Sequence, residues 1–127
     1  MDVFVSYDAK RSLRAESILH SGDGPDGLLL GHKRGPRFVI EEILPTLPGF
    51  FSSRDALAAC ERHLQNRVLG FFTFRPGNRK RNKLLAPITY GKLYMEVTGD
   101  GTRDPSLASY IVEFEEEFFL TPIPLVK

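Results

Sequence analysis

The sequence predicts an α/β domain in which a mixed, curved β-sheet carries two main helices. Three observations carry that prediction. Short apolar or alternating runs mark strands, and two stretches place apolar side chains at helical spacing. The segments follow one another as β-α-β-β-α-β with further strands behind them. The third observation is composition: 127 residues, 42% apolar, with 10 Phe and 4 Tyr, suffice for one core and exclude a disordered chain. One domain spanning 1–127 is therefore expected. A single cysteine excludes a disulfide framework or a Cys-rich zinc module. No apolar run approaches the ~18 residues of a membrane span, and the start has no basic segment followed by an apolar one. A soluble cytoplasmic protein is the expectation.

Residues 2–7 alternate as DVFVSY, a short strand. Residues 10–20 form a helix candidate in which Leu13, Ala15, Ile18 and Leu19 could share a face and Asp8 could cap the start. Residues 21–25 (SGDGP) read as a loop. The apolar run 27–32 (GLLLGH) and the strand 37–44 (RFVIEEIL) flank a Gly35-Pro36 turn and should pair antiparallel. The strongest helix is 53–67. Ser52 or Ser53 suits its N-terminus, Asp55 its positive end, and Ala56, Leu57, Cys60 and Leu64 its buried face. Residues 68–74 (VLGFFTF) are apolar enough for a central strand, and 92–98 (KLYMEVT) form another. Residues 108–120 read as one long strand, interrupted at Glu116 by a bulge or strand end, with a helix over EFEEEFF as the alternative. Residues 123–126 add a last edge strand blunted by Pro122 and Pro124.

Net charge is only +1, but it is unevenly placed. Residues 1–61 carry 7 basic and 9 acidic side chains, residues 62–95 carry 8 basic and none acidic, and residues 96–127 carry 2 basic and 7 acidic. Within the basic middle, 75–83 (RPGNRKRNK) reads as an exposed loop. Its Arg75, Arg79, Lys80, Arg81 and Lys83 have three readings. They could form a solvated face neutralised by Glu113, Glu115, Glu116 and Glu117, anchor an acidic protein partner, or bind nucleic-acid phosphates. The near-neutral total weighs against nucleic acid.

Four pieces stand in order along the chain: 26–31 (DGLLLG), 38–45, the helix 53–67, and 69–76 (LGFFTFRP). Together they resemble the MPN (JAB/JAMM) domain family. In that family a GLLLG strand opens a hairpin, a helix follows, and the next strand ends in aromatic residues and H-x-H-P. The resemblance implies an MPN-like fold. In active members zinc is held by two histidines and an aspartate, with a glutamate and a serine near the bound water. Three protein ligands leave a fourth position for a water whose pKa falls toward ~7. Carried over residue by residue, the histidine positions are Thr73 and Arg75. The serine falls near Lys83, the aspartate near Ala86 and the glutamate on Gly24. None keeps its ligand type, and a guanidinium repels a metal cation. The resemblance therefore implies no catalytic residue, no metal and no cofactor. FFTFR at 71–75 is also similar to the matching strand of Abraxas-type scaffold members, and the tail from Ser109 resembles their final strands. A protein partner is implied, either another MPN domain or a second copy in a homodimer. A metal-dependent peptidase with other ligands is the least favoured reading.

The remaining reactive side chains have plainer roles. His20, His32 and His63 lie at spacings that do not converge on a metal. Cys60 falls on an apolar helix face with Leu57 and Leu64, as a core cysteine does. The glutamates of 113–117 form an acidic solvent face with no histidine or metal to tune them for acid–base work.

Overall fold

The structure, a computed structural model, describes residues 1–19, 26–46, 54–64, 67–74, 77, 81–82, 85, 87–99 and 105–126. In order, the elements are β1 (Asp2–Val5), α1 (Tyr7–Leu19), β2 (Gly27–Arg34), β3 (Arg37–Pro45), α2 (Arg54–Leu64), β4 (Val68–Thr73), β5 (Leu93–Thr98), β6 (Ser106–Glu115) and β7 (Glu117–Pro122). A 3-10 turn at Pro87–Thr89 precedes β5. The described strands form one curled sheet in the order β1-β3-β2-β4-β5-β6-β7. It is mixed: β1–β3 and β4–β5 are parallel and the other neighbours antiparallel.

Helix α1 starts because the Ser6 hydroxyl accepts the Ala9 amide at 3.1 Å. Ser6, not the expected Asp8, is the cap; Asp8 lies in the first turn, where its charge favours the positive helix end. The Ser6 hydroxyl also donates to the Glu41 carbonyl at 2.9 Å, which fixes the helix start to β3. Ala9, Leu13 and Ser17, four residues apart, are the buried positions of α1. The apolar cluster on this side of the sheet joins Ala9 and Leu13 to Val3, Leu29, Ile40, Phe72, Met95 and Ile111 among others. A smaller cluster on the opposite side holds Leu28, Leu30, Val68, Phe71 and Tyr94, with Cys60 and Leu64 of α2 against it. The alternation of side chains along β2, β4 and β5 divides the two clusters.

Two glycines of the motifs are required by close approach. A Cβ on Gly70 would overlap the backbone of Leu93, its partner on β5. A Cβ on Gly31 would overlap the Val39 carbonyl at the bulge between β2 and β3.

Two expectations are corrected. The long strand 108–120 is instead the hairpin β6–β7, with the chain reversing at Glu116 in a left-handed conformation (φ 65°). The break of alternation at Glu116 marks the expected interruption, but it does not distinguish a bulge from a reversal of the chain. The segment 123–126 is not a free edge. Leu125 bridges Val3 in parallel, the Val3 amide donates to the Pro124 carbonyl at 2.9 Å, and the Val126 amide donates to the Val3 carbonyl at 2.8 Å. The Ile123 amide meanwhile donates to the Ser109 carbonyl on β6 at 3.0 Å. The curl of the sheet thus brings its last segment back to its first strand.

Candidate functional site

The polar residues of the α2 side gather at the end of β4 and the middle of β5. Thr73 and Glu96 are register partners on these parallel strands, and both are buried. The Thr73 hydroxyl donates to Asp26 Oδ1 at 2.6 Å. Glu96, only 7% exposed, accepts from Arg81 Nε through Oε2 at 2.8 Å and from Arg81 Nη2 through Oε1 at 2.5 Å. The Tyr94 hydroxyl, two residues earlier on the same face, donates to Glu96 Oε2 at 3.0 Å. The guanidinium lies over the Tyr110 ring, 5.6 Å from its centroid, and Tyr110 is the cross-strand partner of Tyr94.

This is a bidentate, charge-assisted pair with an aromatic lid. The hydrogen bonds and charge of Glu96 hold the Arg81 guanidinium above its ordinary pKa. Burial, first, and the neighbouring Glu96 charge push the Tyr94 phenol well up. At neutral pH the Arg81 guanidinium is charged and the Tyr94 phenol is neutral.

Of the basic run 75–83, Gly77, Arg81 and Asn82 are described. Arg81 and Asn82 are helical: the Arg81 amide donates to the Gly77 carbonyl at 3.0 Å, and the Leu85 amide donates to the Arg81 carbonyl at 3.2 Å. The Arg81 side chain faces Glu96, not the glutamates of 113–117. Gly24, Arg75, Arg79, Lys80, Lys83 and Ala86 lie outside the described residues. Of the five positions mapped by resemblance, Thr73 is the one described, and its hydroxyl is a donor to a carboxylate rather than a vacant ligand. The Arg81 guanidinium occupies both oxygens of the nearby Glu96 carboxylate. Among the described residues, no three of His, Cys, Asp or Glu are grouped to hold a metal. His32 instead pairs with Glu41 at 2.8 Å, and His63 is exposed on α2. His20 lies outside the described residues.

Sequence reasoning missed Glu96. The signal was present: a lone carboxylate inside the apolar run LYMEV, two residues after a tyrosine on the same strand face. It also missed Lys92, which joins α2 to the sheet by donating to the Val68 carbonyl at 2.7 Å and pairing with Glu61 at 2.7 Å.

No family model and no curated protein matches the chain. Solved structures do. The chain is similar to protein DSY2949 from Desulfitobacterium hafniense, with a TM-score of 0.64 at 15% identity over 98% of this chain and 93% of that one. It is also similar to a protein from Salinibacter ruber, with a TM-score of 0.61 at 17% identity over 100% of this chain and 92% of that one. These likenesses extend over the whole chain and concern the fold.

Proposed function

We propose that the chain is a catalytically silent MPN-like domain that works as a protein-interaction module. The observation that carries this reading is the state of Glu96. Both its oxygens accept from Arg81, and Oε2 also accepts from Tyr94. A carboxylate held in this way braces two strands and a helical turn. Thr73, at a histidine position of the resembling family, is likewise engaged with Asp26.

A second feature supports docking. Phe114 is 53% exposed near the β6–β7 turn, its ring 4.8 Å from that of Phe118 across the hairpin. Glu115 and Glu117 face each other directly beside it, and Glu116 is exposed at the turn. Opposed like charges destabilise an isolated hairpin. A partner with an apolar socket and a basic rim would cover the rings and relieve that repulsion.

Light scattering on the native chain and on its purified complexes tests this reading. A homodimer, or a stoichiometric complex with another protein, is expected, and Phe114→Asp should abolish it without altering circular dichroism. A strict monomer with no stoichiometric partner would overturn the proposal, as would zinc-dependent peptidase activity. Salt-sensitive nucleic-acid binding lost on changing Arg79 and Lys80 to Ala would replace it with the phosphate-binding reading.

A further inference from the structure

Helix α1 packs on β3, and beyond that contact the described residues leave a concavity on the same side of the sheet. It is a groove of about 750 Å3. Its apolar wall includes Leu13 of α1, Leu107 of β6 and Leu125 of the bridging segment, and Lys10, Arg11 and Arg14 line it from the helix. The volume falls within the ~300–1,000 Å3 of small-molecule sites. No carboxylate is among its described lining residues. Two chemistries thus share one concavity: an aliphatic surface that water wets poorly, and cations displayed along one helical turn and its neighbour.

An occupant must match both. A polypeptide brings amides and carbonyls that need partners, yet Pro105 in the wall has no N–H and the aliphatic side chains offer none. Leu125 is flanked by residues whose backbone groups are already bonded to Val3. An alkyl chain needs no such partners. Arg11 lies over the exposed Tyr7 ring, 5.6 Å from its centroid, which keeps its charge at the rim.

We propose that this groove binds a free long-chain carboxylate, its tail along Leu107 and Leu125 and its head at Lys10 and Arg11. This site lies on the opposite side of the sheet from the Arg81–Glu96 cluster and is independent of the proposed interaction function.

Dodecanoate, kept below its micelle-forming concentration, is titrated into the intact chain by calorimetry and by amide chemical shifts. One saturable site is expected, with shifts centred on Lys10, Arg11, Leu107 and Leu125. Dodecyltrimethylammonium, which has the same tail under a cationic head, should bind at least about tenfold more weakly. Lys10→Glu with Arg11→Glu, both on exposed positions of α1, should lower dodecanoate affinity by about tenfold or more and reverse the headgroup preference. Leu107→Trp should block the tail, with the melting temperature confirming that each variant folds. Equal affinity for the two headgroups, shifts centred elsewhere or no saturable binding would overturn the proposal. So would tighter association with anionic phospholipid vesicles or with an acidic peptide than with the monomeric carboxylate.

Discussion

On the α1 side of the sheet, each strand from β1 to β6 sends apolar side chains into a single cluster. On the α2 side a smaller cluster is built from β2, β4 and β5, and it ends in the Arg81–Glu96 pair under Tyr110. The difference separates two ways of fixing a fold. The α1 side gains from area removed from water, which is non-directional. The α2 side adds directional bonds that fix where a helical turn and two strands meet, and these contribute less net free energy because Glu96 gives up its hydration on burial while Arg81 stays partly exposed.

Four changes test that contrast. Phe72→Ala on the α1 side, at a fully buried ring, should cost about 4 kcal/mol in a urea melt. A loss below ~1 kcal/mol would mean that this cluster is not the main core. Arg81→Met should cost about 2 kcal/mol, chiefly because Glu96 is left buried and unpaired. Adding Glu96→Leu should recover most of that loss; if the double variant is as unstable as the single one, the pair is a net stabiliser after all. Tyr94 sharpens the comparison at high pH. Its phenol is raised in the fold, so the associated stability is present below ~10 and declines at higher pH as the unfolded phenol ionises. Ultraviolet titration should show Tyr94 ionising only as the protein unfolds, and Tyr94→Phe should remove that part of the alkaline transition. The smallest effect belongs to the exposed Asp2–Arg37 pair, bonded at 2.8 Å. The guanidinium lowers the Asp2 pKa, so its contribution holds above ~4 and is lost as pH falls through the folded value. Asp2→Asn should therefore lower the melting temperature slightly at pH ~7 and not at pH ~2.

Local pattern made most elements legible. GLLLG and RFVIEEIL flank a Gly35 turn, and the structure pairs them antiparallel around that residue, whose φ is 60°. Leu64 and Cys60 meet the α2-side cluster as their helical spacing predicts. Non-local relations were hidden. Nothing in the periodicity of 123–126 says that it meets residue 3, and the break of alternation at Glu116 in EFEEEFF gives a bulge and a hairpin turn the same appearance. The site was least legible. The dense run of cations is the conspicuous feature of the sequence, whereas the geometry turns on one of them, Arg81, and on an isolated glutamate whose meaning depends on which neighbours the fold supplies. Ser6 was overlooked as a cap because Asp8 is the stronger acid nearby, although a cap is set by backbone position and not by charge.

The bridge between Val3 and Leu125 has a consequence for biosynthesis. Residues made first must wait, with one flank of β1 unsatisfied, until nearly the whole domain has left the ribosome. Ordering of α1 against β3 needs only the first third of the chain, but the seam cannot zip before residue 126 is free of the exit tunnel. Nascent chains stalled short of that point should bind chaperones that recognise exposed strands, and chains stalled well beyond it should not.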